Sequence, residues 1–301
     1  MRFRAPAKIN WFLTVLSKRE DGYHDIMSLM QCISLYDDLV FEHSDIIEVI
    51  SDLDIPLEDN LVYKAASLLK QYTSYRQGAR IILKKNIPVS AGLGGGSSDA
   101  AYALSGLNIL WGLGLSNGEL SSIGIEIGSD VPFFLNGPSA LVEGRGEKIL
   151  PLKINTSILL LVKPLISVST AWAYASFDKL NTGRLRMHGE RSTERSRRRP
   201  VEPLTKKPVD IKLFCRALKK QDFASLNTML NNDFERVIVE RYPVVGIIKD
   251  RMLEKGAVIS AMSGSGPTVF GVFDNRDTAE KAAKSMKPSA YGGWCRIVET
   301  L

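Results

Sequence analysis

The stretch Pro88-Val-Ser-Ala-Gly-Leu-Gly-Gly-Gly-Ser-Ser-Asp-Ala-Ala101 concentrates small residues where an anion could be held. Pro88, Ala91, Gly92, Leu93, Gly94, Gly95 and Gly96 follow an apolar strand, Arg80 to Lys84, and precede a helical pattern from about Ser97 to Trp111. Glycines at such a junction let backbone N–H groups approach a phosphate closely, and the helix N-terminus adds partial positive charge. Ser97 and Ser98 can add hydroxyls for phosphate or for metal-bound water. No lysine follows the glycines, so the P-loop pattern is absent. The chain before them forms no βαβ unit, which weakens a dinucleotide-fold reading. A glycine turn with no ligand is the bland alternative, but four glycines and two serines at this junction favour phosphate.

Four further clusters carry chemistry-bearing types. Met262-Ser-Gly-Ser-Gly-Pro-Thr268 places Ser263, Gly264, Ser265 and Gly266 between two short strands, where hydroxyls and bare amides can close over a ligand. Pro6-Ala-Lys8-Ile-Asn10 puts a lysine inside an apolar strand, so its ammonium needs a polar destination. Ile127-Gly-Ser-Asp130-Val-Pro-Phe133 offers a carboxylate, and Asp21-Gly-Tyr23-His24 offers a stacking face and a hydrogen-bonding ring. Taken singly, each has a structural explanation: a hairpin, an edge lysine, a helix cap, a turn with surface aromatics.

The elements that must position these groups read as follows. Residues 2–16, 26–34 and 38–50 are strand-like, with breaks expected at Asp21-Gly22 and Asp37-Asp38. Leu61, Val62, Ala65, Ala66, Leu68 and Leu69 recur at three and four, which predicts a helix with Asp59 as N-cap. Ser116 and Glu119 form a capping-box pattern. Strands are expected at 139–143, 157–163, 257–261, 267–273 and 293–299, and helices at 209–220, 222–231, 243–255 and 276–286. Strands and helices mix without βαβ alternation, which argues α+β. At 301 residues the chain is long enough for two domains, with a boundary expected near 150–156 and units at 1–153 and 154–301.

Composition sets outer limits. Hydrophobic residues are 45% and charged residues 24%, ordinary for a globular protein and wrong for a disordered or fibrous one. No apolar run approaches the roughly 20 residues of a membrane span, and the N-terminus lacks a signal-peptide core. The three cysteines, Cys32, Cys215 and Cys295, form no CxxC, which fits reduced thiols in a cytoplasm. The three histidines are scattered, so no protein-built metal site is expected.

In this order and spacing, PAKIN, DGYH, PxxAGLGGGSSDAA, GSDVPF and MSGSGPT resemble the GHMP small-molecule kinases, over about residues 2–182 and 209–299. The match is nearest to the branch whose acceptor is a cytidine-diphosphate-linked methylerythritol in non-mevalonate isoprenoid synthesis. The resemblance implies a two-domain fold, the first half like domain 2 of ribosomal protein S5 and the second ferredoxin-like, with the active site in the cleft between them. It implies ATP and Mg²⁺, with Asp130 as general base and Lys8 as the cation beside it. It places Asn60, Lys85 and the glycine loop at ATP, and Asn10, Tyr23, His24, Thr170, Tyr174 and the 263–266 cluster at the acceptor. Tyr23 and Tyr174 would sandwich the cytosine, and His24 would hydrogen-bond it. The implied partners are small molecules, with no nucleic acid or membrane, and the chain is expected to be a monomer or weak homodimer.

Two alternatives stay open at this level. A homoserine or mevalonate kinase would share the loops, but those substrates carry no base for Tyr23-His24 to meet. An S5-like RNA-binding protein would use the basic residues, but it leaves Asp130 and the glycine loop without a task. Its binding would weaken steeply with salt.

The net charge of +6 is local. Arg184 to Pro208 holds nine basic and three acidic residues, so the rest of the chain is neutral. This stretch matches nothing in the family, and its three consecutive arginines and its prolines predict a mobile surface loop. Loop length costs little closure entropy. Replacing 184–208 with a short Gly/Ser linker should leave the melting temperature and kcat near wild type and bring the isoelectric point close to neutrality. A deletion that unfolds the protein would show that the stretch packs against the core.

Overall fold

A computed structural model describes residues 1–53, 55–181, 209–286 and 293–301. The basic tract at 184–208 lies outside the described residues. The chain opens with a long antiparallel hairpin of β1 (Arg2–Lys18) and β2 (His24–Ser44). Every residue of β1 from Ala5 to Val15 is buried. The run is unbroken because protein covers both faces of this strand, and its side chains enter each of the three hydrophobic clusters found among the described residues.

The break expected at Asp37-Asp38 does not occur. Both residues lie inside β2, paired with Ala5 and Arg4. Asp37 is wholly buried, and its carboxylate is satisfied by Lys85 Nζ and by the amides of Asn86 and Ile87. A buried carboxylate is tolerated when such partners meet it, and these come from a distant segment.

β3 (Ile47–Ser51) runs parallel to β4 (Gly78–Lys84) across a connection that contains α1 (Leu61–Thr73). The cap of α1 is Asn60 rather than the expected Asp59. Asn60 Oδ1 accepts from the Val62 amide at 3.0 Å, while Asp59 ends a 3₁₀ turn that begins at Leu57. After β4 come α2 (Gly95–Leu110), α3 (Asn117–Ile127) and the unanticipated short α4 (Val131–Leu135). The Ser116–Glu119 capping box is formed as expected. β5 (Ser139–Gly144) and β6 (Lys148–Pro151) complete the larger sheet, in the order β3-β4-β2-β5-β6 with β1 also on β2.

The rest of the chain builds a four-stranded antiparallel sheet, ordered β10-β7-β9-β8. Its strands are β7 (Ile158–Lys163), β8 (Ile259–Met262), β9 (Val269–Phe273) and β10 (Trp294–Glu299). Between β7 and β8 come α5 (Thr170–Asn181), α6 (Ile211–Lys220), α7 (Phe223–Met229), α8 (Glu235–Arg241) and α9 (Val244–Glu254). α10 (Arg276–Ser285) joins β9 to β10. The succession strand, helices, strand, strand, helix, strand is ferredoxin-like. β6, α5 and α8 were not anticipated, being short or weakly periodic.

The two sheets share one core. The Trp11 ring meets Phe270 edge-on at 5.8 Å, and Phe12 meets Phe214 at 5.3 Å. The Leu13 amide donates to Asn231 O at 2.8 Å, and the Leu301 amide returns to Cys32 O at 2.9 Å. Burial raises the pKa of all three cysteines, that of Cys32 to about 12, so the thiols rest protonated as apolar fillers. Among the described residues no helix is long and apolar enough to cross a membrane.

A shared core predicts a single cooperative unfolding transition. Phe214→Ala removes a fully buried ring beneath β1 and should cost about 3–5 kcal/mol. A urea titration of the variant should keep one transition at lower denaturant; two separated transitions would show that the halves fold independently.

Candidate functional site

Side chains two apart on a strand share a face, so Lys8 and Asn10 point the same way from β1. The Lys8 side chain is almost fully buried, and its Nζ donates to Asn10 Oδ1 at 2.5 Å. Asp130 Oδ2 lies 3.4 Å from the same ammonium. Asn10 is oriented from behind: its Nδ2 donates to Ser28 Oγ at 2.8 Å, and that hydroxyl donates to Phe12 O at 2.6 Å. Asp130 stands at the N-terminal end of α4 and keeps 29% of its side chain exposed. A buried cation thus faces a carboxylate that solvent or a substrate can reach.

The glycine loop wraps this pair. Lys8 N donates to Leu93 O at 2.9 Å. Gly92 and Gly94 have φ of +74° and +69°, and Gly94 caps α2. A methyl group on Gly94 would lie 3.0 Å from Lys8 Cε, and one on Gly92 would lie 2.3 Å from Ser263 O. These glycines therefore serve close approach as well as backbone conformation. α2 begins at Gly95, two residues before the expected start at Ser97, so the free amides of its first turn belong to the loop.

The second glycine/serine cluster docks onto the first. Ser263 Oγ donates to Gly92 O at 3.0 Å and accepts from the Asn10 amide at 3.3 Å. Ser265 Oγ lies 3.0 Å from Thr170 Oγ1 at the start of α5. One cluster therefore touches the glycine loop, β1 and α5.

The far end is aromatic. The buried His24 ring stacks on Tyr174 with centroids 4.8 Å apart, and its Nε2 lies 2.7 Å from Asp178 Oδ1. Lys18 Nζ pairs with the same carboxylate at 2.5 Å. Tyr23 is 49% exposed and carries the Arg145 guanidinium over its ring at 4.5 Å. Tyr23 and Tyr174, the two rings expected to sandwich the cytosine, both line the cleft. One face of Tyr174 is spent on His24 and one face of Tyr23 on Arg145, and the Nε2 of His24 is already engaged. Burial, with the nearby Asp130 charge, pushes the Tyr174 hydroxyl above the ordinary tyrosine range, so it remains a neutral donor.

Lys85, expected at adenosine, lines the cleft but spends its ammonium on two carboxylates, Asp37 and Asp99, the latter at 2.5 Å. Burial alone would lower its pKa; the two charges outweigh this and hold it above the ordinary lysine value. Burial raises the Asp99 carboxyl against the pull of Lys85.

Most of these groups open onto one cleft of about 1090 Å³. Single small-molecule sites run to roughly 300–1,000 Å³, so there is room for two ligands end to end. Of the residues expected at the site, all but Ser98, Ser263 and Gly266 line it. Ser98 is fully buried on α2, its hydroxyl has no partner among the described residues, and it does not line the cleft. Ser263 acts through Gly92 and Asn10. Asp37, Asp99, Arg145, Asp178 and Ser28 are site residues that sequence reasoning misses. Asp99 lay within the glycine-loop motif; the others carry no local signal.

The chain resembles known proteins along its whole length. The models for the N-terminal and C-terminal domains of GHMP kinases match residues 60–138 and 214–292. The 4-diphosphocytidyl-2-C-methyl-D-erythritol kinase of Thermodesulfovibrio yellowstonii is 48% identical over 299 residues, covering 99% of this chain and 97% of the relative. That of Caldicellulosiruptor bescii is 42% identical, covering 95% and 94%. A crystal structure of 4-(cytidine 5'-diphospho)-2C-methyl-D-erythritol kinase superposes with a TM-score of 0.79 at 31% identity, over 100% of this chain and 99% of that one. Homoserine kinase from Cytophaga hutchinsonii shares the fold at 19% identity and a TM-score of 0.71, over 100% and 94%. The chain belongs to the GHMP kinases and, within them, to the 4-diphosphocytidyl-2-C-methyl-D-erythritol kinases.

Proposed function

We propose that this chain transfers the γ-phosphoryl group of ATP to the 2-hydroxyl of 4-diphosphocytidyl-2-C-methyl-D-erythritol, in the non-mevalonate route to isoprenoid precursors. The observation that carries the reading is the Lys8–Asp130 pair at 3.4 Å, set between a glycine loop and an aromatic pocket in one cleft. The triphosphate lies along Gly92–Ser97, where the amides of the loop and of the first turn of α2 take its charge. Asn60, Lys85, Pro88 and Ala91 wall the nucleotide end. The acceptor lies over Asn10, Thr170, Gly264 and Ser265, with its cytosine at Tyr23, His24 and Tyr174.

Phosphoryl transfer asks little covalent work of the protein; it needs in-line oxygens and neutralised charge. As the acceptor oxygen bonds to the γ-phosphorus, the bond from that phosphorus to the β–γ bridging oxygen breaks and ADP leaves. The hydroxyl proton passes to Asp130. Lys8 stabilises the developing alkoxide. An ordinary carboxylate is a weak base for an alcohol, so positioning contributes more than proton removal.

Among the described residues no three His, Cys, Asp or Glu side chains gather into a metal site. Mg²⁺ fits here as an ion carried on the phosphates, with one or two protein oxygens added. Asp130 and the Ser97 hydroxyl, which lies beside Gly128, are hard donors on the cleft wall that would hold it. Bound there, the ion would neutralise phosphate charge.

Asp130→Asn should lower kcat by roughly 10²–10⁴-fold with ATP and acceptor binding nearly intact. Lys8→Met should lower kcat similarly, and a near-normal kcat in either variant removes that residue from the reaction. Tyr23→Ala and Tyr174→Ala should raise the KM for the cytidine acceptor about tenfold to a hundredfold, from the stacking lost, and leave the KM for ATP unchanged. A rise in the ATP KM instead would mean that the two ends are reversed. A coupled ATP-consumption assay against alcohols with and without a cytidine diphosphate handle tests the whole reading, which fails if turnover ignores the handle.

A further inference from the structure

Three charged side chains, Asp37, Lys85 and Asp99, meet where the chain enters the glycine loop and leaves it as α2. Asp37 is 0% exposed at the middle of β2 and takes no part in lining the cleft. One of its oxygens, Oδ1, accepts from the amides of Asn86 at 2.5 Å and Ile87 at 2.8 Å; the other holds Lys85 Nζ. Lys85 Nζ reaches on to Asp99 Oδ2 at 2.5 Å, within α2. The two segments so tied are those that enter and leave the glycine loop. Lys85 to Ile87 lead into Pro88, and α2 starts at Gly95. A side chain added at Gly95 would sit 2.9 Å from Ile87 Cγ2 and 3.4 Å from Lys85 Nζ, so the two ends of the loop are in contact as well as clamped.

We propose that Asp37, with Asp99, is a positioning residue for the nucleotide: together they pin Lys85 and the Asn86–Ile87 amides and so hold the loop in its phosphate-binding shape. Lys85 then works mainly as the bolt of this clamp rather than as a charge offered to ATP. The electrostatics agree. Two carboxylates close to a triphosphate site would repel it, and a lysine held between them cancels much of that field. A wholly buried carboxylate with three donors is also rigid, because each oxygen has a fixed partner. The inference rests on the reading that the glycine loop takes the triphosphate.

Steady-state kinetics of Asp37→Asn and Asp37→Glu, beside Gly94→Ala, test it. Asp37→Asn keeps the shape but loses the charge that fixes Lys85. Its KM for ATP should rise tenfold or more, with the acceptor KM and the kcat at saturating ATP within about twofold of wild type. Asp37→Glu keeps the charge and should fall between, with a two- to fivefold rise. A residue that only supports the fold would lower the melting temperature without this split. An unchanged ATP KM in Asp37→Asn, or equal changes in both KM values and kcat, overturns the clamp. If Asp37→Asn does not fold, Asp37→Glu decides: a selective rise in the ATP KM supports the clamp and unchanged constants overturn it. Gly94→Ala separates the two layers. An ATP KM untouched by that change means the loop is not the triphosphate site, whereas a raised one beside a normal Asp37→Asn defeats the clamp alone.

Discussion

A lysine ammonium buried in a strand covered on both faces is the constraint on which the rest of this structure depends. Desolvating such a charge costs several kcal/mol even after relaxation, so Lys8 can exist only where compensating oxygens converge. Asn10, two residues on, supplies one and Asp130 supplies the other. Asn10 must be held by Ser28 on β2, and Asp130 must be delivered by the turn into α4. Leu93 O takes the Lys8 amide, which brings the glycine loop over the same spot. Lys8, Asp130 and the glycine loop are thus brought together by the requirement to satisfy one charge.

The same economy governs the joint between the two sheets. β1 is shared property: it is a strand of the larger sheet and the floor beneath the smaller one, through Trp11, Phe12 and Leu13. A cleft lined from both halves would lose its geometry if they moved freely. The Ser263 hydroxyl, fixed between Gly92 O and the Asn10 amide, ties the halves at the point where the two ligands would meet. Positional accuracy of this kind matters for a reaction whose catalysis is mostly alignment and charge neutralisation.

Much of the site was legible in the chain because its chemistry is local. The glycine loop is a run of neighbouring residues whose small size and helix-start position imply an anion, and the Ser116 box caps its helix by the same short-range logic. Lys8 announces itself as a cation in an apolar strand. Asp37 shows the opposite case. Beside Asp38 it looks like a turn, since two adjacent aspartates usually mark solvent, yet Lys85, Asn86 and Ile87 satisfy it inside the sheet. Asp178 and Arg145 are likewise ordinary surface types until the fold sets them on His24 and Tyr23.

The sequence by itself determined the α+β class and a loop suited to an anion, because these follow from residue type and short spacing; the family, and the roles proposed for Lys8 and Asp130, came from the resemblance its motifs carry. Only the tertiary structure decided that Lys85 is clamped between two carboxylates and that Tyr174 stacks on His24. It also decided that Ser98 faces inward and that Ser263 braces Gly92. The physical reason is the range of the interactions. Helix starts, caps and strand faces are set by neighbours within a few residues. A buried ion pair or a stacked ring depends on groups tens to hundreds of positions apart, which meet only once burial has made the partnership necessary.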